Sequence, residues 1–297
     1  MVKIRQERGS LSEAIEPVPF LNPNRPGLGV EVLSLDELRA KLPERHRSIR
    51  SRPDFHQLML IESGSTVHDI DFVRHTCRAG DALLLRPGQV QQFIRDGGAH
   101  GWVVLFTSEF VPPEAALEHA LGHGAAEAIR LPAAERRMVG TTMAALAAAY
   151  RSAHAGDALA IQATRHLLLA LLLQLAAVRE GVQVQPAPAG MLRVYRRFLQ
   201  ALESGYLQSR QVAGYAAAIG CSTRTLARAC EALGGASPKA LVERRVLLEA
   251  KRLLAHSALG VSQISSTLGY SEATNFVKAF RRVEGMTPLQ FRQRMQH

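Results

Sequence analysis

The chain has 297 residues, 47% of them hydrophobic and 21% charged, with Lys and Arg outnumbering Asp and Glu by ten. A chain of this length is expected to form two domains, each large enough to bury its own core. Its three cysteines, Cys77, Cys221 and Cys230, are an odd number without metal-ligand spacing, which fits a reducing cytoplasm. The opening residues, MVKIRQERGSLSE, lack the apolar stretch of a signal peptide. The richest apolar run, Leu167–Val178, is 12 residues long, too short to cross a bilayer. The positive charge is localised: residues 191–297 hold 16 Arg and Lys against 6 Asp and Glu, while residues 1–190 hold 20 against 20. Such an excess suits phosphate neutralisation, and no basic stretch carries the apolar face that a membrane surface would need.

Residues 1–27 contain Pro17, Pro19, Pro23 and Pro26 and read either as an arm over a pocket or as a disordered tail. Residues 28–115 are strand-like. Phe55–Ile61, Ser65–Asp71, Ala82–Leu85, Gln91–Arg95 and Trp102–Phe106 are short β-favouring runs, parted by turn signals at Ser63-Gly64, Ala79-Gly80-Asp81, Pro87-Gly88 and Gly97-Gly98. Regular turns between short strands predict a small barrel or jelly roll. His56, Leu58 and Leu60 share one strand face. Together with His68 they are the expected lining of an effector pocket, although which face points inward is open.

Residues 116–181 are expected to be helical. Ala133–Arg151 has helical spacing, and Asp157 is placed to cap a second helix running to about Glu180. Leu167, Leu168, Leu171, Leu172 and Leu175 give that helix a broad apolar face. Part of it is expected to pack against the partner helix, and its width leaves surface for a second subunit, which makes this a dimerisation region. Residues 182–190, VQVQPAPAG, read as a linker.

The C-terminal part contains one unit twice. Val212, Ile219, Gly220 and Ser222 match Val261, Leu268, Gly269 and Ser271 at an offset of 49. Leu226, Cys230, Gly235, Ser237, Pro238 and Leu241 match Phe276, Phe280, Gly285, Thr287, Pro288 and Phe291 at an offset of 50, so one residue is inserted between Ser271 and Phe276. Each copy reads as helix, glycine turn and second helix, with Ser222 or Ser271 placed as the cap. The two helix-turn-helix units are expected at about 210–233 and 260–284. Pro238 opens a connecting helix that runs to about Ala255. Its roughly 27 Å, at about 1.5 Å per residue, can hold two recognition helices near one DNA turn apart.

The polar residues of both second helices suit DNA. Arg and Lys bridge guanine O6 and N7, and Asn pairs with the adenine edge. Arg224, Thr225 and Arg228 lie off the Leu226/Cys230 face, and Thr274, Asn275, Lys278 and Arg281 lie off the Phe276/Phe280 face. Ser222, Thr223 and Ser271, at the helix starts, suit phosphate oxygens, and Thr225, Arg281 and Arg282 complete the expected backbone contacts.

From Ala250 to Arg292 the pattern A-x-x-L-L…VSQIS-x-x-LGYSE-x-x-x-F-x-x-x-F-R-R-x-x-G-x-TP-x-x-F-R resembles the DNA-binding domain of the AraC/XylS family of bacterial transcription regulators. The resemblance covers residues 191–297, about a third of the chain. It implies base-reading positions at Arg224, Ala227 and Arg228, and at Thr274, Asn275 and Lys278. Ala227 offers at most a methyl contact. The run HQLMLIESG…AGDALLLRPGQVQQF is similar to the cupin-type effector domain of that family. Cupin metal sites carry a late histidine after a Pro-Gly turn, whereas here Gln91 stands at that place, so neither a metal nor another cofactor is expected.

The expected fold is therefore α+β and multidomain. A cupin-like β-barrel with a helical hairpin precedes an all-α domain of two helix-turn-helix units joined by a long helix. The expected function is a DNA-binding transcription regulator, an activator responsive to a small-molecule effector, and not an enzyme. Its expected partners are double-stranded DNA, the effector, a second copy of the chain and RNA polymerase, with no membrane. One alternative is a DNA-binding protein whose N-terminal domain only dimerises. Another is a cupin-fold enzyme with a DNA-binding tail.

Overall fold

The computed structural model describes residues 15–41, 49–111, 127–153, 157–183 and 189–295. Within them an N-terminal β-rich domain carries two long helices, and a helical C-terminal domain follows. Strands β1 (Glu16–Val18), β2 (Val30–Ser34), β3 (Ser51–Pro53), β4 (His56–Ile70), β5 (Val73–Arg78), β6 (Asp81–Leu85), β7 (Gln91–Phe106) and β8 (Glu127–Arg130) form one sheet. Its order is β1-β3-β7-β4-β6-β8, with β2 added on β7 and β5 on β4. A short helix, α1 (Leu35–Lys41), follows β2.

Two strands are longer than the sequence predicts. Ser63-Gly64 and Gly97-Gly98 are not turns. They lie inside β4 and β7, which pair antiparallel along their whole length with repeated register shifts between Ile61 and His68. A β-bulge bends and twists its strand, which curls the sheet. The glycines permit this bend. Gly64 has φ of 70°, and a Cβ there would fall 2.1 Å from the Gly98 carbonyl oxygen. A Cβ on Gly101 would fall 2.0 Å from that of Leu60.

The two faces of the sheet build separate cores. Val30, Val32, Leu58, Leu60, Leu84, Val104 and Phe106 pack against helices α2 (Ala133–Ser152) and α3 (Ala158–Gln183). Met59, Ile61, Ile70, Cys77, Leu83, Leu85 and Val103 gather on the opposite face. As the sequence predicts, Asp157 caps α3, its Oδ1 accepting the Ala160 N–H at 3.0 Å. Leu168, Leu171, Leu172 and Leu175 are fully buried in the sheet-facing core. The broad leucine face is thus consumed inside the domain, each residue contributing about 1.5–3 kcal/mol. By length and composition alone, Ala158–Arg179 would suffice to cross a membrane, with mean hydropathy 1.5. The sheet already covers Leu168, Leu169, Leu171, Leu172 and Leu175, while Leu159 at the start of the helix stays exposed.

The described part of the proline-rich start is packed. β1 pairs in parallel with β3. Asn22 Nδ2 donates to the Val30 carbonyl at 2.7 Å and to the Tyr150 hydroxyl at 3.2 Å, and the Arg25 guanidinium sits 4.5 Å over the Tyr150 ring. Residues 1–14 lie outside the described residues, as do 112–126 and most of the linker, 184–188.

The C-terminal domain comprises α4 (Ala189–Gly205), α5 (Val212–Ala218), α6 (Thr223–Gly234), α7 (Pro238–His256), α8 (Val261–Thr267), α9 (Ala273–Glu284) and α10 (Pro288–Met295). Both helix-turn-helix units share a single core. Phe198, Ile219, Leu226, Cys230, Val246, Ile264, Leu268, Phe276 and Phe280 lie in one buried cluster along the connecting helix α7.

Candidate DNA-reading faces and effector pocket

The two copies close their turns with the same hydrogen bonds. Gly220 N–H donates to the Ala217 carbonyl and Cys221 N–H to that of Ala216. Gly269 and Tyr270 repeat this on Ser266 and Ser265, all at 2.9–3.0 Å. Gly220 and Gly269 have φ of 70° and 72°, the left-handed exit that glycine alone takes without strain. Beyond the turn the copies part. Ser222 is the N-cap of α6, its Oγ accepting the Thr225 N–H at 3.1 Å. In the second copy the cap position falls to Glu272, which makes no side-chain cap bond. The inserted residue moves Ser271 one place out of reach, which corrects its expected capping role.

Helix α6 buries Leu226, Ala229 and Cys230 and exposes Arg224, Thr225 and Arg228, while Ala227 is half-buried. Helix α9 buries Phe276 and Phe280 and exposes Thr274, Asn275 and Lys278. In each helix the base-reading candidates thus stand together on one outward face, with a longitudinal spacing of four residues. Ser222, Thr223, Ser271, Arg281 and Arg282 are also exposed. The Ser222 hydroxyl is committed to its cap, and Arg282 Nη2 donates to Glu243 Oε1 on the connecting helix. The second turn is welded to the first unit. Arg210 Nη2 donates to the Leu268 carbonyl, and its guanidinium lies 3.3 Å over the Tyr270 ring. Arg292, the last residue of the sequence pattern, holds the ends of α7 and the following loop through the Leu254 and Leu259 carbonyls, at 3.1 and 2.6 Å.

The expected pocket residues are split between the two faces of the sheet. Leu58 and Leu60 point into the core between sheet and helices. His56 shares their face, stacking on Phe106 with ring centroids 4.8 Å apart and lying 3.3 Å from the Ser108 hydroxyl through Nε2. These three therefore lie on the face covered by α2 and α3. The bulges are the reason: they reset the alternation of β4, so that His68 falls on the side opposite to His56.

On the opposite side His68 pairs directly across the hairpin with His75, and Thr66 with Cys77. The Thr66 hydroxyl meets His68 Nε2 at 3.0 Å, and Phe93 sets its edge against the His68 ring at 5.2 Å. Gln91 Nε2 donates to Gln57 Oε1 at 3.4 Å. His68 Nδ1 and His75 Nε2 are buried without a hydrogen-bond partner. Burial holds the His68 imidazole down to about 4, with a further push from His75, and burial also lowers His75. Both rings are thus neutral near pH 7, each with a donor or an acceptor left over. Sequence reasoning missed Thr66, His75, Gln57 and Gln91. The spacing of the two histidines about Asp71-Phe72 was the available signal, hidden because Asp-Phe is not a recognised hairpin turn. Among the described residues no three His, Cys, Asp or Glu side chains gather as metal ligands. Cys77 and Cys230 are buried thiols that burial pushes up to about 11 and about 12, far from the thiolate a reactive cysteine needs.

A β-rich sheet domain followed by paired helix-turn-helix units is the two-domain architecture of a ligand-responsive DNA-binding regulator. Comparison with known proteins agrees. Residues 36–171 match the AraC-like ligand binding domain and residues 215–294 match a helix-turn-helix domain. The chain belongs to the AraC/XylS family of transcription regulators, which is not an enzyme class. It is 22% identical over 273 residues to the HTH-type transcriptional activator RhaS of Escherichia coli O139:H28, covering 86% of this chain and 89% of that one. It is 29% identical over 100 residues to the virulence regulon transcriptional activator VirF of Yersinia enterocolitica, covering 34% and 37%. Among solved structures, ToxT from Vibrio cholerae O395 aligns with TM-score 0.38 and 12% identity over 81% of this chain and 89% of that one.

Proposed function

We propose that the protein is a cytoplasmic transcriptional activator that reads two successive major-groove segments with α6 and α9 and takes its effector beside His68, on the face of the sheet opposite α2 and α3. The observation that carries the reading is the repeated placement of Arg224/Arg228 and Thr274/Asn275/Lys278 on exposed faces of two helices locked into one core. Arg and Lys at these places reach base edges, and Asn275 suits adenine. Ser222, Thr223, Thr225, Ser271 and Arg281 lie near the helix starts and flanks, where backbone phosphates pass. Arg282 is a weaker candidate because it engages Glu243.

The effector contacts in this reading are His68, His75, Thr66, Gln57 and Gln91. A neutral, hydrogen-bonding small molecule fits them, since neutral imidazoles and amides offer both donors and acceptors. Activation, with contact to RNA polymerase, is supported by the relatives described as transcriptional activators. Self-association through α2 and α3 belongs to the same reading. With the leucine row spent on the sheet, the outward surface left for it is Met138, Thr141, Ala144, Ala145 and Ala148.

Sites selected from a random DNA pool by the full-length protein provide the test. Arg228→Ala and Lys278→Ala are each expected to weaken binding to the selected site by about 1–3 kcal/mol and to relax base preference at one position. Unchanged affinity and preference in both variants would overturn the assigned faces.

A further inference from the structure

The two domains meet at the tip of the β4–β5 hairpin. Ile70 pairs with Val73, leaving Asp71 and Phe72 as a two-residue turn with φ of 46° and 71°. That is the type I′ geometry, which favours Asn-Gly. The turn itself thus has no use for an aspartate and a phenylalanine. Their use lies across the domain boundary.

The Asp71 carboxylate accepts both Nε and Nη2 of Arg252 on α7, at 2.8 and 2.7 Å. Arg252 Nη1 donates to Glu249 Oε2 at 3.0 Å, and Glu249 Oε1 accepts from Arg52 Nη1 of β3 at 3.0 Å. The side chains of Asp71, Arg252 and Glu249 are less than a tenth exposed. Beside this alternating charge chain, Phe72 stacks on His256 with ring centroids 5.8 Å apart and meets Phe291 edge-on at 5.6 Å. The rings continue from Phe291 to Phe280 at 5.6 Å, to Phe276 at 5.8 Å and to Tyr270 at 5.3 Å. Phe276 and Phe280 are the buried back of the second recognition helix. Lys251, 5.7 Å over the Phe72 ring, also pairs with Glu284 at the end of that helix. A residue of the effector domain thereby joins the apolar support behind α9.

The chemistry of the contact allows it to open. If the domains separate, Arg252 keeps Glu249, and Asp71 keeps the Val90 N–H at 3.1 Å and the Gln89 amide at 3.3 Å. Arg52 loses Glu249, but its side chain is 31% exposed and returns to water, so no charge is stranded in the interior. A buried ion pair also has small net worth, because desolvation offsets most of its attraction. A permanent joint would be better served by an apolar interface.

We infer that the Asp71–Phe72 tip is the element by which the effector domain sets the DNA affinity of the second helix-turn-helix, supporting α9 when docked and loosening it when released. The inference rests on the DNA-reading function proposed above and adds its regulation. The same hairpin carries the cross-strand pair His68 and His75, three residues to either side of the turn. A molecule bound there acts on the strands that position the tip. The route is physical, a shared hairpin followed by packed rings, and the coupling itself is what an experiment must measure.

The test is the full-length double variant Asp71→Asn/Phe72→Gly. It removes the charge and the ring while giving the hairpin its preferred turn sequence, so the sheet domain remains folded. Hydrogen exchange is expected to quicken at least five-fold in α8, α9 and α10, with little change in α5. Affinity for a DNA site selected by the unaltered protein is expected to fall at least five-fold, with the loss concentrated on the half-site read by α9. Phe72→Tyr, which keeps a ring in place, is expected to retain most of the affinity. Equal or tighter DNA binding by the double variant overturns the inference, whatever the exchange shows. If the unaltered protein selects no DNA site, the proposed function falls. The exchange measurement then decides the docking alone, with unchanged α8, α9 and α10 counting against it.

Discussion

At the scale of single residues, burial sets the charge of the histidines. His56 stacks on Phe106 and meets Ser108 through Nε2, its Nδ1, like that of His68, has no partner, and burial holds it down to about 3. His68 and His256 are held near 4, both chiefly by burial. A histidine whose folded value lies below its unfolded value of 6.5 stabilises the fold fully above pH 6.5. That contribution is lost as pH falls from 6.5 towards the folded value. Each such group costs up to about 1.4 kcal/mol per pH unit within the window. The melting temperature of the full chain is therefore expected to decline between pH 6.5 and 4, and His68→Gln to flatten part of that decline. A melting temperature constant over this range would show that these imidazoles are not buried neutral. The sequence placed His56, Leu58 and Leu60 on one strand face and left open which way it turns. That face meets α2 and α3 while His68 lies on the other, because strand alternation says which residues share a face and not what that face packs against.

At the scale of elements, the repeated unit shows how far local sequence carries. Glycine at the turn, proline at the start of α7 and apolar pairs four apart dictate conformation over a few residues, and the structure realises all three. The inserted residue has a consequence that the offset alone did not reveal. Ser222 caps its helix, whereas Ser271 caps nothing. Ser222→Ala is thus expected to lower stability by about 0.5–2 kcal/mol, and Ser271→Ala to change it by less than about 0.5 kcal/mol. Denaturant titration of both variants checks the contrast, and equal losses would refute it. In the sheet, the opposite limit applies. Ser63-Gly64 and Gly97-Gly98 carry turn signals, yet their glycines serve the close approach of two long strands. A glycine that permits φ > 0 in a turn permits it equally in a bulge.

At the scale of the whole molecule, charge and connectivity divide the work. Residues 191–297 carry the entire excess of ten positive charges, on a domain whose two reading faces share one core. With at least six phosphates neutralised across two groove segments, affinity for the selected site is expected to drop about 10³-fold between 50 and 200 mM salt. Fluorescence anisotropy across that range checks it. A flat salt response would mean that the basic surface does not lie on the phosphate backbone.

Much was fixed by the amino-acid sequence alone: the duplicated unit, its turns, the connecting helix, the exposed base-reading candidates and the location of charge. These follow from propensity and periodicity, which act over one or two turns of chain. Only the tertiary structure decided which face of β4 meets the helices, where the leucine face of α3 is buried and what Asp71 and Phe72 contact. Each depends on residues far apart in the chain: β4 is aligned with β7 through their bulges, α3 is laid on the sheet, and Asp71 meets Arg252 across 181 positions. Pairings at such separations are set by packing the whole chain into one minimum, and no local pattern encodes them.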